Sequence, residues 1–270
     1  MSNSLLYLVT TLGYALIAVY FWQGKMNGKG DVISRGVAGH LVLLPLLTHA
    51  WLLMDSLGME GSFNFGLANA VSLILWLTML VYWLARFFYP IGSLQALVLP
   101  LAAVGALLPA LFPSEHPLDH ARLWALDAHI MAAMLAYSLL IIAVLHAVVI
   151  SSVEKRLHHG SLPPMFRDLP PLLSMESLLF RIIWVGFAVL SVTLVSGMLF
   201  SEQIFGKPWQ FGHKTLFGLI SWLLFAGLLL GHHVYGWRGR VAVRWTVSGF
   251  IFLLLSYLGT KFVLEVLLHR

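Results

Sequence analysis

The chain has 270 residues, of which 60% are hydrophobic and 10% charged. A soluble domain carries about 25% charged residues, so this composition excludes a water-soluble enzyme and describes an integral membrane protein. The absence of cysteine excludes disulfides, thiolate zinc sites, iron–sulfur clusters and covalent attachment of a haem through C-x-x-C-H.

A spanning helix needs roughly 20 mostly apolar residues, with a range of about 17 to 25. Eight runs meet that length: Leu5–Trp22, Val37–Met54, Leu67–Leu84, Leu94–Phe112, Leu123–Ile150, Leu178–Phe200, Thr215–Tyr235 and Val243–Leu267. The expected fold class is therefore all-α, a polytopic helix bundle with about eight transmembrane helices, forming a single membrane domain over 1–270. The N-terminus lacks the basic region of a signal peptide and an A-x-A cleavage site, so the first run reads as a retained span. The fifth and eighth runs are long enough to tilt or to project beyond the bilayer. Pro45, Pro100 and Pro109 fall inside spans, where neighbouring helices re-satisfy the freed carbonyls. Ala128, Ala132 and Ala136 form a small-xxx-small stripe that predicts close packing of the fifth helix.

Loop charge orients the spans. Lys25, Lys29, Arg35, Arg86, Lys155, Arg156, Arg167, Arg238, Arg240 and Arg244 all lie in odd-numbered loops. Asp55, Glu60, Glu115, Asp119 and Glu202 lie in even ones, with Arg122, Lys207 and Lys214. The positive-inside rule then puts the odd loops in the cytoplasm and both termini on the outer side of the membrane. This basic excess reports topology, not nucleic-acid binding. The longest loop, 151–177, is kept extended by Pro163-Pro164 and Pro170-Pro171, and Ser174 is placed to cap the sixth helix with Glu176 in its first turn.

On this topology His49, His129 and His213 share one depth near the outer face, and His40, His146 and His232 share another near the cytoplasm. Ionisable groups in a bilayer face the bundle interior and tend to be functional. The bland alternative for each histidine is a hydrogen bond that locks helix packing. The functional alternative is axial ligation of haem iron, with Trp209, Phe211 and Trp51 as flat walls and Lys207, Lys214 and Arg122 receiving the propionates. Zinc or copper held by His49, His129 and His213 is a competing reading. Asp127 is a candidate to orient His129. Lys261 and Glu265 form an i, i+4 pair that neutralises itself. The sequence lacks a mid-membrane acidic pair, a P-loop, HExxH and G-x-S-x-G, which argues against a carboxylate-relay pump and against the corresponding enzymes.

Several stretches resemble one family. His129–Tyr137 (HIMAAMLAY) is similar to a segment that opens with a haem-ligating histidine, and Arg181–Gly197 resembles the span before the signature loop. Ser201–Trp222 falls where a tryptophan-rich WWD loop belongs. It keeps Trp209, then Phe211, Gly212 and His213, without the WWD letters. Tyr235–Arg240 and Gly249-Phe250 resemble the closing features. Together these resemble the cytochrome c assembly, haem-handling superfamily, in its CcsA-like, YpjD/HemX-type branch. The resemblance implies haem handling without a complete haem lyase, because the large outer domain of the full synthetases is missing. It implies cytochrome c maturation or haem trafficking by ligand exchange and transport, not by catalysis. Of the site residues, the resemblance carries over His129 as an axial iron ligand; His213 is the second axial candidate, and His49 a further one, by depth alone, with Lys214 and Trp209 of the loop stretch beside them. The haem would be b-type and non-covalent. The expected partners are haem, other cytochrome c maturation proteins and the lipid bilayer, with no nucleic acid. Two alternatives remain: a regulatory scaffold acting through the 151–177 loop to control haem biosynthesis, and an accessory subunit of an ion transporter.

Overall fold

The computed structural model describes residues 2–27, 37–58, 63–89, 94–113, 117–118, 124–158, 169–199, 201 and 212–263. Among these, the chain is helical apart from short connections and one two-residue antiparallel pair, in which β1 (Phe63–Asn64) matches Phe63 to Leu118 and Asn64 to Pro117 of β2 (Pro117–Leu118). Seven helices are long and apolar enough to cross a membrane. The fourth apolar run forms a shorter helix of 17 residues, Gln95–Leu111, with Pro100 and Pro109 inside it. The all-α polytopic reading therefore holds. The chain divides into two compact units, Met1–Asp119 with Ser152–Pro171, and His120–Ser151 with Leu172–Arg270.

The first unit holds α1 (Ser2–Met26), the short α2 (Val37–Leu41) running into α3 (Leu43–Leu57), α4 (Leu67–Ala85) and α5 (Gln95–Leu111). Helix α1 is polar inside and apolar outside. Leu5, Leu8, Leu12, Leu16 and Val19 are exposed, whereas Thr10, Tyr14, Ala18 and Phe21 are buried. Lipid solvates the leucines as well as any core would, so the inward face is free to carry polar groups. Those groups fix the register against α3. Asn3 Nδ2 donates to Asp55, the Thr10 and Thr48 hydroxyls meet at 2.9 Å, and Gly13 faces the Pro45 ring. Going up α1 by seven and then three residues matches going down α3 by seven and then three, which is one continuous antiparallel contact. The adjacent stripe of α3 bonds α4 in the same manner. Asn69 donates to the Ser56 carbonyl, His49 meets Ser72, and Trp76 donates to the Leu46 carbonyl at 2.9 Å. Trp22 closes the unit by donating to the Ala96 carbonyl of α5.

The second unit contains α6 (Trp124–His158) as far as Ser151, α7 (Leu172–Leu199), α8 (His213–Tyr235) and α9 (Gly239–Leu254). Helix α9 continues through a wide π turn at Leu255–Gly259 into α10 (Thr260–Phe262). Glycines and hydroxyls set the contacts. Phe225 lies on Gly249, Ser221 donates to the Gly249 carbonyl, and Trp222 donates to the Ser191 hydroxyl. Two expectations are corrected. Ala128 is exposed and Ala132 half-buried, so of the alanine stripe only Ala136 is in the core. The tight contact of α6 is instead Gly186 of α7 against Leu140. Ser174 does not cap α7, which already begins at Leu172, directly after Pro171. Glu176 instead receives the first N–H of α9, from Gly239, at 2.9 Å. A carboxylate there satisfies an orphan donor and complements the helix dipole.

Candidate functional site

His129 lies on the second turn of α6, half-buried. Its Nδ1 is 2.8 Å from the Ser196 hydroxyl of α7, and that hydroxyl donates to the Thr193 carbonyl at 3.0 Å. A serine has one hydroxyl proton. With that proton given to Thr193, Ser196 can accept from His129 Nδ1–H, and the lone pair would then sit on Nε2. This is the arrangement of metal-ligating histidines, which donate their second N–H to an oxygen that fixes tautomer and ring orientation. The orienting group is Ser196 and not Asp127, which is exposed. Gly197 makes the space: a Cβ there would stand 3.2 Å from His129 Cε1, between the two ring nitrogens. The ring is thus packed against Gly197 and oriented through Nδ1, which leaves Nε2 as the nitrogen that would meet an iron.

Lys214 stands in the first turn of α8, exposed, close enough for its charge to act on His129. Its ammonium lies 5.0 Å from the centre of the Tyr257 ring, and its carbonyl accepts from Ser256 at 2.7 Å. The structure therefore brings three of the five candidate residues, His129, His213 and Lys214, to one end of one unit. His213 opens α8 at the same end and is exposed. Trp209 lies outside the described residues, as do Lys207, Phe211 and Arg122. Trp51 is 64% exposed on α3.

His49 belongs to the first unit and is 1% exposed. Its Nε2 is 3.0 Å from Ser72 Oγ and its ring meets Tyr14 edge-on at 5.8 Å. Its Nδ1, the Tyr14 hydroxyl and the Thr11 hydroxyl are buried without hydrogen-bond partners. The packing function expected of a lone intramembrane histidine is thus present at Nε2, and Nδ1 is left over. His40, His146 and His232 differ in setting. His146 is buried and donates from Nε2 to the Met175 carbonyl at 2.9 Å. His232 donates from Nδ1 to the Trp237 carbonyl at 2.9 Å and stacks flat on Phe180, with 3.5 Å between ring centres. His40 is exposed beside Arg86. Among the described residues, no three His, Cys, Asp or Glu side chains gather as a metal cage. Sequence reasoning missed Ser196, Gly197 and Ser256. Their signal was present only as small residues in an apolar run.

The family model "Cytochrome C assembly protein" matches residues 37–268. The chain belongs to this family. Among its relatives within and around the family, the chain is 30% identical over 99% of its length to all of an uncharacterized 28.8 kDa protein from Azospirillum brasilense. It is 28% identical to the inner membrane protein YpjD of Escherichia coli over 64% of this chain and 65% of that protein. It is 34% identical to the cytochrome c biogenesis protein CcsA of Prochlorococcus marinus over 33% of this chain and 28% of CcsA. No solved structure matches it. Cytochrome c assembly kinship, the likeness to an inner-membrane relative and seven membrane-length helices together make this a multi-pass inner-membrane protein.

Proposed function

We propose that this protein binds haem non-covalently, as b-type haem, and hands it on during cytochrome c maturation or haem trafficking. The observation that carries the reading is the contact of His129 Nδ1 with the Ser196 hydroxyl, itself bonded to the Thr193 carbonyl, which leaves Nε2 available to an iron. Bound there, haem supplies an iron that accepts one imidazole and remains open to exchange of the other. The chain's own residues do the rest. Ser196 fixes the ring of His129 against rotation. Lys214 offers an ammonium to the propionate edge, and Trp209 offers a flat wall. His213, at the same end of that unit, is the second axial candidate, and His49, in the other unit, is a candidate haem ligand in its own right through its unpartnered Nδ1. The whole chain acts as one membrane domain with both termini outward, so that this end faces the periplasm, where maturation partners take the haem. The family match and the CcsA likeness support this setting. The reaction is ligand exchange, with no covalent bond made by this chain.

The test is complementation. Membranes of a deletion strain are stained for covalently haem-bearing c-type cytochromes after return of the wild type, His129→Ala, or a chain lacking 159–168. The proposal expects His129→Ala to fail and the loop deletion to succeed. The reverse outcome transfers the function to the cytoplasmic loop and defeats the haem reading.

A further inference from the structure

Tyr137 lies about two turns along α6 from His129 and is buried. Its hydroxyl donates to the Leu253 carbonyl of α9 and accepts from the backbone N–H of Tyr257. In an unbroken α-helix those two backbone groups bond each other, because Tyr257 is four residues after Leu253. The phenol oxygen takes both, and the segment Leu255–Gly259 is wound as a π turn. A side chain inserted into the i to i−4 ladder is a known cause of helix distortion, and π turns are frequent at functional sites. The Thr260 hydroxyl closes the far side of the turn by donating to the Ser256 carbonyl at 3.0 Å.

The π turn brings Ser256 against α8. Ser256 is buried, and its hydroxyl donates to the Lys214 carbonyl at 2.7 Å. Lys214 is the second residue of α8, directly after His213. Its carbonyl is the acceptor that the Gly218 N–H uses in a regular helix, so an oxygen reaching it from α9 passes over position 218. Glycine leaves that path open: a Cβ there would stand 3.3 Å from Ser256 Oγ and 3.5 Å from Leu194 Cδ2 of α7. Contacts therefore run from α6 through Tyr137 to α9, and from α9 through Ser256 to the first turn of α8. The same α6 carries His129, bonded to Ser196 of α7. One helix thus holds one imidazole and the group that fixes where the helix bearing the other begins.

The arrangement depends on the wide turn. One residue of an α-helix advances about 100° around the axis, and its Cα lies about 2.3 Å from it. Closing the ladder between Leu253 and Tyr257 removes the residue that the π turn adds. A quarter of the resulting rotation moves a Cα by roughly 1 Å, which carries a 2.7 Å contact out of hydrogen-bond range.

We infer that Tyr137 is a positioning residue: by opening the π turn in α9 it docks Ser256 on α8, and so sets where His213 stands relative to His129. This rests on the haem reading above for its use and adds to it the device that spaces the two axial candidates. Tyr137 itself touches no haem in this scheme.

The test reads the protein both without and with haem. The chain has no cysteine, so Met131→Cys on α6 and Leu216→Cys on α8, both at exposed positions, are the only sites that take nitroxide spin labels. Dipolar EPR of the full chain in lipid nanodiscs then reports the spacing between α6 and the first turn of α8 with no haem present. Tyr137→Phe keeps the ring and removes only the inserted oxygen. It is expected to replace one narrow distance peak by a shifted or broadened one. Ser256→Ala, which leaves the Tyr137 contacts in place, gives the same change and decides the matter if Tyr137→Phe fails to fold. Trp222→Phe controls for general loosening: it removes the bond from α8 to the Ser191 hydroxyl of α7, and the peak stays where it was. In the haem-loaded, unlabelled chain the wild type shows the low-spin spectrum of iron with two imidazoles. Tyr137→Phe and Ser256→Ala lose low-spin character and keep a Soret band through His129. An unmoved peak in Ser256→Ala or in folded Tyr137→Phe, or an equal movement in Trp222→Phe, overturns the inference. If the wild type takes up no haem while the peak still moves in the variants, the haem reading falls and the positioning role of Tyr137 stands.

Discussion

Replacing Gly197 with alanine separates ligand geometry from fold stability. The added methyl would stand 3.2 Å from His129 Cε1, whereas unstrained carbon contacts are about 3.5–4.0 Å. The ring must therefore retreat by roughly 0.3–0.8 Å. It is pinned through Nδ1 to Ser196 at 2.8 Å, and a retreat taken up by that bond stretches it to roughly 3.1–3.6 Å, across the limit at which an N–H···O hydrogen bond ceases to count. Losing much of a bond with a net value of about 0.5–1.5 kcal/mol lowers haem affinity by about two- to tenfold. The backbone effect has the opposite sign. Gly197 is helical and near the end of α7, and alanine in a helix interior is favoured over glycine by roughly 0.5–1 kcal/mol. Soret titration and thermal unfolding of the same purified sample then move apart: weaker haem binding at equal or higher stability. An affinity equal to wild type, in a protein that is not destabilised, would refute the claim that His129 is a ligand held by Ser196.

Other expectations follow from the same contacts. Ser196→Ala removes the acceptor of Nδ1–H and lowers haem affinity by about 10–100-fold, the usual effect of losing a histidine-orienting group, while Ser196→Thr retains most of it; both are read by Soret titration. Ser72→Ala leaves both ring nitrogens of the buried His49 without partners and lowers thermal stability by about 1 kcal/mol, with recovery in the Ser72→Ala, His49→Leu double variant. Gly231→Ala places a Cβ 2.3 Å from the Trp237 ring. It displaces the indole, breaks the His232 contact to the Trp237 carbonyl and destabilises by about 1–3 kcal/mol, with a shift in tryptophan emission.

The helices were legible in the sequence because a bilayer demands length and apolarity, and both are visible in single residues. Their faces were not. In α1 the leucines face outward and Thr10 and Tyr14 face inward, a division that hydropathy does not mark when lipid and core are equally oily. The alanine stripe of α6 misled for the same reason: small residues permit close packing without requiring it, and Gly186 supplies the contact instead. His129 was legible as a candidate, but the groups that orient its ring were not, since Ser196 and then Thr193 lie 67 and 64 residues away in sequence.

The most direct measurement of the central claim is the absorption spectrum of the purified full chain, with and without added haem under reducing conditions, beside that of His129→Ala. The account predicts a Soret band in the wild type from haem that acidified acetone extracts, as a non-covalent b-type haem must be, and a clearly weaker band in His129→Ala. A colourless protein that takes up no added haem, or a variant spectrum equal to the wild type, would contradict it.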